Sequence, residues 1–168
     1  ALINRRMISE PVAYITGSRG FWSFDLQVTP DTLIPRPETE LLVELAIERI
    51  DLNSDTNVLD LGTGTGAIAL AIAHERPKAK VVAVDYSEPA LGVARKNTAE
   101  LHLRNLEILQ SNWFDALAMR RFDVIVSNPP YIELNDEHLS QGDLRFEPIQ
   151  ALASGTDGLD AIRIIIAG

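Results

Sequence analysis

The sequence contains no cysteine. That excludes disulfides, thiolate metal sites and a cysteine nucleophile, and it fits a cytoplasmic protein. It has no apolar run near the ~18 residues of a membrane span and no signal-peptide pattern at its start, so no membrane partner is expected. Basic residues are outnumbered, 15 Lys and Arg against 24 Asp and Glu, giving a net charge of -9. Nucleic-acid binding by phosphate neutralisation needs a basic surface, so no direct nucleic-acid partner is expected. Internal repeats and low-complexity segments are also missing. The 168 residues suffice for one α/β domain, which at this size buries roughly 70% of the surface its unfolded chain exposes. Ala1 is not a natural start and Gly168 follows the apolar Ile164-Ile165-Ile166, so both ends are expected to be cuts from a longer chain.

Turn and strand signals fill the first 35 residues. Tyr14-Ile15-Thr16-Gly17 is followed by the partly alternating Phe21–Val28, which predicts a β-hairpin with its turn around Ser18-Arg19-Gly20. Pro37 and two acids then open a helix whose apolar face is Leu41, Leu42, Leu45 and Ile50. After the polar Asn53–Thr56 a βα pattern begins. Strands are predicted at 57–61, 80–84, 106–109 and 122–126, with helices at 67–76 and from Ser87 to about His102. Strands alternating with helices of this length predict a mainly parallel sheet with helices on its faces. Residues 131–156 show no periodicity and are expected to be a long loop, and a last helix is expected from Leu159 to Ile166. Only four core strands are visible, so the sheet is expected to be incomplete after the fourth strand and its helix.

The stretch Asp60-Leu61-Gly62-Thr63-Gly64-Thr65-Gly66-Ala67 joins the first predicted core strand to a helix. Glycine permits the tight turn and a close backbone approach, and the helix start offers free N–H groups. Gly62, Gly64 and Ala67 satisfy the dinucleotide pattern G-x-G-x-x-G/A, alone a weak match. Asp60 would sit awkwardly beside a pyrophosphate, but it suits a ligand carrying an ammonium and a sulfonium. S-adenosylmethionine is such a ligand: its carboxylate can meet the glycine amides while Asp60 faces its amino group. Asp85, ending the next strand, is placed to accept from both ribose hydroxyls. Asn112 and Trp113 follow the third strand on the same sheet edge, where open α/β sheets bind ligands, and are placed to contact the adenine. A helix-capping role for Asp85 and a packing role for Trp113 are the plain structural alternatives.

The fourth strand is followed by Ser127-Asn128-Pro129-Pro130-Tyr131. Two prolines remove two donors and fix two φ angles, leaving a stiff row of acceptors. An amide nitrogen or exocyclic amine is a poor nucleophile because its lone pair is delocalised. Donating its N–H groups to the Asn128 side-chain oxygen and the Pro129 carbonyl would orient it and raise its electron density, while the flat Tyr131 ring holds the planar group by stacking. No histidine or lysine base is required, and His74, His102 and His138 are expected at the surface or at caps. Arg36 and Glu38 are candidates for shaping the pocket entrance, with helix-start chemistry the alternative.

With Ile34–Glu40, Gln110–Phe114 and Arg145–Pro148 added, the chain resembles the HemK/PrmC family of glutamine methyltransferases throughout its length. The resemblance implies a Rossmann-like class I methyltransferase sheet at residues 36–168. Residues 1–35 would be the linker and β-hairpin of an absent N-terminal helical domain. It further implies that Asp60, Gly62, Thr63, Gly64, Thr65, Gly66, Asp85, Asn112, Trp113 and Asn128 bind S-adenosylmethionine, with S-adenosylhomocysteine as product. Asn128, Pro129, Pro130 and Tyr131 would hold the glutamine of the Gly-Gly-Gln loop of class-1 peptide chain release factors, with Asn128, Pro129 and Tyr131 catalytic. Asn112 stands where the family often has an acid.

Rivals share the cofactor or only the fold. A related enzyme methylates a glutamine of a large-subunit ribosomal protein, although the continuous Pro35-Arg36-Pro37-Glu38-Thr39-Glu40 favours the release factor. A DNA adenine methyltransferase would use a similar motif but would want a basic groove and a recognition insert. A non-catalytic binding module and a nicotinamide oxidoreductase complete the alternatives.

Overall fold

The computed structural model describes residues 2–168; the reading of Ala1 lies outside them. Four strands form a parallel sheet, β3 (Asn57–Leu61), β4 (Lys80–Asp85), β5 (Leu106–Gln110) and β6 (Val124–Ser127), in the order β5-β4-β3-β6. The order reverses at β3, so β3 and β6 diverge into different connections and open a crevice beyond their carboxyl ends. The crossover helices are α4 (Ala67–Glu75) and α5 (Glu88–Glu100). Every residue from Ala67 to Ala73 is buried. A helix apolar all round must be enclosed on all sides, and its alternating alanines let the sheet and α3 (Glu40–Ile47) approach closely. Ser87 caps α5 by accepting the Ala90 N–H at 3.3 Å, as its sequence position predicts. A final helix, α6, spans Asp160–Ala167. Among the described residues no helix is long and apolar enough to cross a membrane.

The N-terminal region departs from the sequence reading. Residues expected to carry only turns and strands include two short helices, α1 (Leu2–Met7) and α2 (Val12–Thr16), the second ended by Gly17 in the left-handed region. The hairpin exists, but β1 is Ser18–Phe21 and β2 is Phe24–Gln27. Its turn therefore lies at Trp22-Ser23, and Ser18, Arg19 and Gly20 belong to the strand. Trp22 takes a φ of 57°, held by tertiary contacts: its N–H donates to Glu40 at 2.8 Å and its indole Nε1 to Glu75 at 2.9 Å. Phe21, Phe24 and Leu26 pack into the same core as α3 and α4. The face of α3 is also rotated from expectation. Leu42 packs against the core and Ile50 is buried, as expected, but Leu41 and Leu45 are exposed and Val43 and Ala46 are buried in their stead.

One buried amide ties the hairpin to the glycine turn. Asn97 of α5 accepts the Gln27 N–H at 2.8 Å and donates Nδ2 to the Gln27 carbonyl and to the Thr65 carbonyl, at 3.1 and 2.9 Å. Alanine there would leave one buried and two half-buried backbone groups without partners, so Asn97→Ala is expected to cost about 3 kcal/mol in urea unfolding. A change below ~1 kcal/mol would show that water replaces the amide.

The expected long loop at 131–156 is ordered by three short 3-10 turns, at 137–140, 144–146 and 149–151. A parallel bridge pairs Ile132 with Ala153, and the Tyr131 and Ile132 N–H groups both donate to the Leu152 carbonyl. Gly158, at φ 76°, lets the chain pass so close that a Cβ would lie 2.3 Å from the Tyr131 carbonyl oxygen. The segment after Asn128-Pro129-Pro130-Tyr131 thus folds back onto it.

Candidate active site

Two cavities open beyond the carboxyl ends of the strands. The first, about 270 Å³, lies over the glycine turn and is lined by Gly62, Gly64, Asp85, Trp113, Asn128 and Pro130, with Asn112 at its edge. The second, about 510 Å³, is lined by Leu33, Arg36, Thr39, Asn128, Pro129 and Tyr131 among others. Asn128, Leu33 and Ala151 belong to both.

Gly62 and Gly64 have φ of 73° and 55°, and a Cβ on either would meet nothing within 4 Å. The turn therefore presents bare backbone to open space, as a closely approached ligand requires. Its amides are less available than the sequence suggests. The Gly62 and Thr63 N–H groups both donate to the Val84 carbonyl at 2.9 Å, Gly64 to Asp85 Oδ2 at 2.8 Å, and Gly66 to Thr63 at 2.8 Å. Those four donors are committed within the protein, which corrects the expectation that a ligand carboxylate meets them.

Asp85 faces the first cavity, its two oxygens accepting from Gly64 and Ser87 N–H groups at 2.8 and 2.9 Å. Each carboxylate oxygen keeps a further lone pair for a hydroxyl. Asp60 behaves differently. It is fully buried, lines neither cavity, and accepts the Thr63 hydroxyl at 2.6 Å on Oδ2 while Oδ1 has no partner. Burial pushes its pKa up to about 7 against the pull of the Thr63 hydroxyl and the Ala69 N–H. The expectation that Asp60 faces a ligand ammonium is thus corrected: it supports the turn from beneath. Thr63, Thr65 and Gly66 also line neither cavity. Thr63 serves Asp60, Thr65 serves Asn97, and Gly66 starts α4 with φ 88°.

Trp113, at φ 51°, packs against the cluster of Leu59, Leu61, Val82, Val84 and Leu117 and also lines the first cavity, so packing and lining roles coexist. Asn112 is exposed and donates to Asp115 at 3.3 Å. Asn128 is half-buried and donates Nδ2 to Thr39 Oγ1 at 3.4 Å. Tyr131 is 65% exposed at the rim of the second cavity. Arg36 and Glu38 line that cavity too. His74, His102 and His138 are exposed and line neither cavity.

Sequence reasoning missed the roof. Asp31, Thr32 and Leu33 from one aperiodic segment, and Pro148, Gln150 and Ala151 from another, close the first cavity, with Tyr86 beside Asp85. The one signal available was the turn chemistry of Thr29-Pro30-Asp31; the approach of the two segments left no local mark.

A parallel sheet ordered β5-β4-β3-β6, with a bare glycine turn after its central strand and an acid ending the next, is the Rossmann-like sheet of class I methyltransferases. The pattern defining the methyltransferase small domain matches residues 38–144, and the chain belongs to that family. It is 59% identical over 165 residues to the release factor glutamine methyltransferase of Pseudomonas aeruginosa, covering 98% of this chain and 59% of that protein. To the enzymes of the same name from Xylella fastidiosa (strain Temecula1) and Escherichia coli (strain K12) it is 56% and 53% identical. Those matches cover 100% and 98% of this chain and 61% and 60% of the relatives, so the chain spans about 60% of their length. The fold is shared with the hMettl16 catalytic domain, solved with a MAT2A 3′UTR hairpin, at a TM-score of 0.65 and 15% identity, covering 84% of this chain and 54% of that one.

Proposed function

We propose that this chain is the core of an S-adenosylmethionine-dependent enzyme that methylates N5 of the glutamine in the Gly-Gly-Gln motif of class-1 peptide chain release factors. In this reading residues 36–168 are part of the catalytic domain, and residues 1–35 lead in from a further N-terminal domain. The observation that carries it is Asn128, which lines both cavities and so stands where a donor in one meets an acceptor in the other. The relatives' shared name supports the choice of glutamine and release factor. The acidic composition weighs against duplex DNA as substrate.

Gly62, Gly64, Asp85 and Trp113 would hold S-adenosylmethionine, which when bound supplies an electrophilic methyl group. Asp85 would accept from its ribose hydroxyls. With the Asn128 amide nitrogen engaged by Thr39, its oxygen is the group left to accept one N–H of the glutamine amide. The Pro129 carbonyl, which accepts no hydrogen bond among the described residues, would take the other. Both acceptors stabilise positive charge as it develops on the nitrogen, and they are held rigid before the reaction by the two prolines. Fixing nitrogen and methyl in line recovers roughly 7–11 kcal/mol of the barrier. The proton leaves after the methyl has moved, so no dedicated base is needed.

Labelled S-adenosylmethionine and the full-length parent chain test the reading. The substrates are a release factor, the same factor with its Gly-Gly-Gln glutamine changed, a ribosomal protein mixture and duplex DNA. Label confined to the intact factor is expected. Label in the ribosomal proteins or DNA would keep the chemistry and overturn the partner. Asp85→Ala is expected to weaken S-adenosylmethionine binding by about 10- to 100-fold in calorimetry, the loss of charge-assisted hydrogen bonds. Unchanged affinity would make Asp85 a purely structural tie for the turn.

A further inference from the structure

We infer that Glu147 is a positioning residue that fixes the width of the mouth shared by the two cavities; the inference rests on the function proposed above. Its side chain is 0% exposed and reaches across to a segment more than a hundred positions away. Oε2 accepts the Ile34 N–H at 3.0 Å, and Oε1 pairs with the Arg36 guanidinium. Among the described residues these are the hydrogen bonds that join segment 31–36 to segment 144–152. Each segment gives one residue to both cavities, Leu33 from the first and Ala151 from the second. The distance between them sets the width of the boundary that the cavities share, and Glu147 is the brace that spans it.

The first segment is held from behind as well. The Tyr14 hydroxyl donates to the Thr32 carbonyl at 2.6 Å, and Ile34 packs with Ala13, Tyr14, Val28 and Phe146. Stability alone does not explain a carboxylate in this place, since apolar residues of similar volume commonly replace a buried ion pair without loss. Its geometry is more informative. One oxygen fixes the backbone at Ile34, and the other fixes the Arg36 side chain that lines the second cavity. A single carboxylate therefore sets both the roof of one cavity and a wall of the other.

The test uses the full-length parent chain, Glu147→Gln, and the apolar pair Arg36→Met/Glu147→Met. Loosening the brace should raise KM for both S-adenosylmethionine and the release factor by roughly tenfold, with kcat falling less than ~threefold. A merely structural residue would lower the active fraction, so that kcat drops while both KM values stay at the parent level; that result overturns the inference. If both variants prove unfolded by thermal melting, Glu147 is a folding element and the inference is likewise overturned. Calorimetric binding of S-adenosylmethionine separates this inference from the proposed substrate. If the parent transfers nothing to the release factor, the substrate reading falls, while the brace is still judged by whether the variants bind S-adenosylmethionine about tenfold more weakly than the parent or equally well.

Discussion

Asn128→Ala is expected to lower methyl transfer by about 10³-fold or more while changing stability by less than ~1 kcal/mol. The asymmetry follows from where the residue stands. Its one internal hydrogen bond, to Thr39, is long at 3.4 Å, and its side chain is only half-buried, so the fold gives up little. In the proposed mechanism the reaction gives up the acceptor that would orient the amide nitrogen, and with it much of the in-line alignment. Initial rates on a release factor, with thermal melting of the same samples, would check both halves. Near-parent turnover would show that the Pro129 carbonyl alone orients the substrate, and the mechanism would have to be rebuilt around it.

Stability is expected to fall as pH rises from about 4 to about 7, through Asp60. The unfolded chain releases this proton near 3.8, whereas the buried carboxyl holds it to about 7. Within that window the folded state binds the extra proton, so each pH unit costs up to ~1.4 kcal/mol, on the order of 4 kcal/mol across the window. Above about pH 7 both states are ionised and this contribution becomes flat. Burial is the main cause; the Thr63 hydroxyl and the Ala69 N–H oppose it, and the Asp85 charge adds a smaller push in the same direction as burial. Glu10, Glu107, Asp136 and Asp157 are shifted downward and act with the opposite sign, at the acid end. Asp60→Asn should remove the slope between pH 5 and 7 in urea midpoints. Equal slopes in parent and variant would mean that the carboxylate stays charged in the folded state, with water reaching Oδ1.

The βα units were legible because glycine, proline and capping residues punctuate them. Gly62–Gly66, Pro77 and Ser87 each fall within a residue or two of an observed boundary. The first thirty-five residues were harder for the opposite reason. Helices of six and five residues are too short to display a period, and the Trp22-Ser23 turn depends on Glu40 and Glu75, which local chemistry cannot foretell. At the site, residue type predicted what lines the first cavity at Gly62, Gly64, Asp85 and Asn128, since each sits at the end of a strand or in the turn that follows it. It failed at Asp60, whose side chain points under the turn because alternation along β3 alone does not say which buried layer receives it. The roof was illegible because its halves meet only in three dimensions, across Glu147.

Asn97 has a mechanical meaning besides its energetic one. Its carboxamide is the shared rivet of two parts, gripping Gln27 at both backbone atoms and Thr65 at one. The hairpin cannot slide by an ångström without shearing two of those bonds or dragging the glycine turn along. Hairpin and turn therefore move as one stiff lever. Whatever pulls on the chain ahead of residue 18 pulls, with little slack, on the floor of the first cavity.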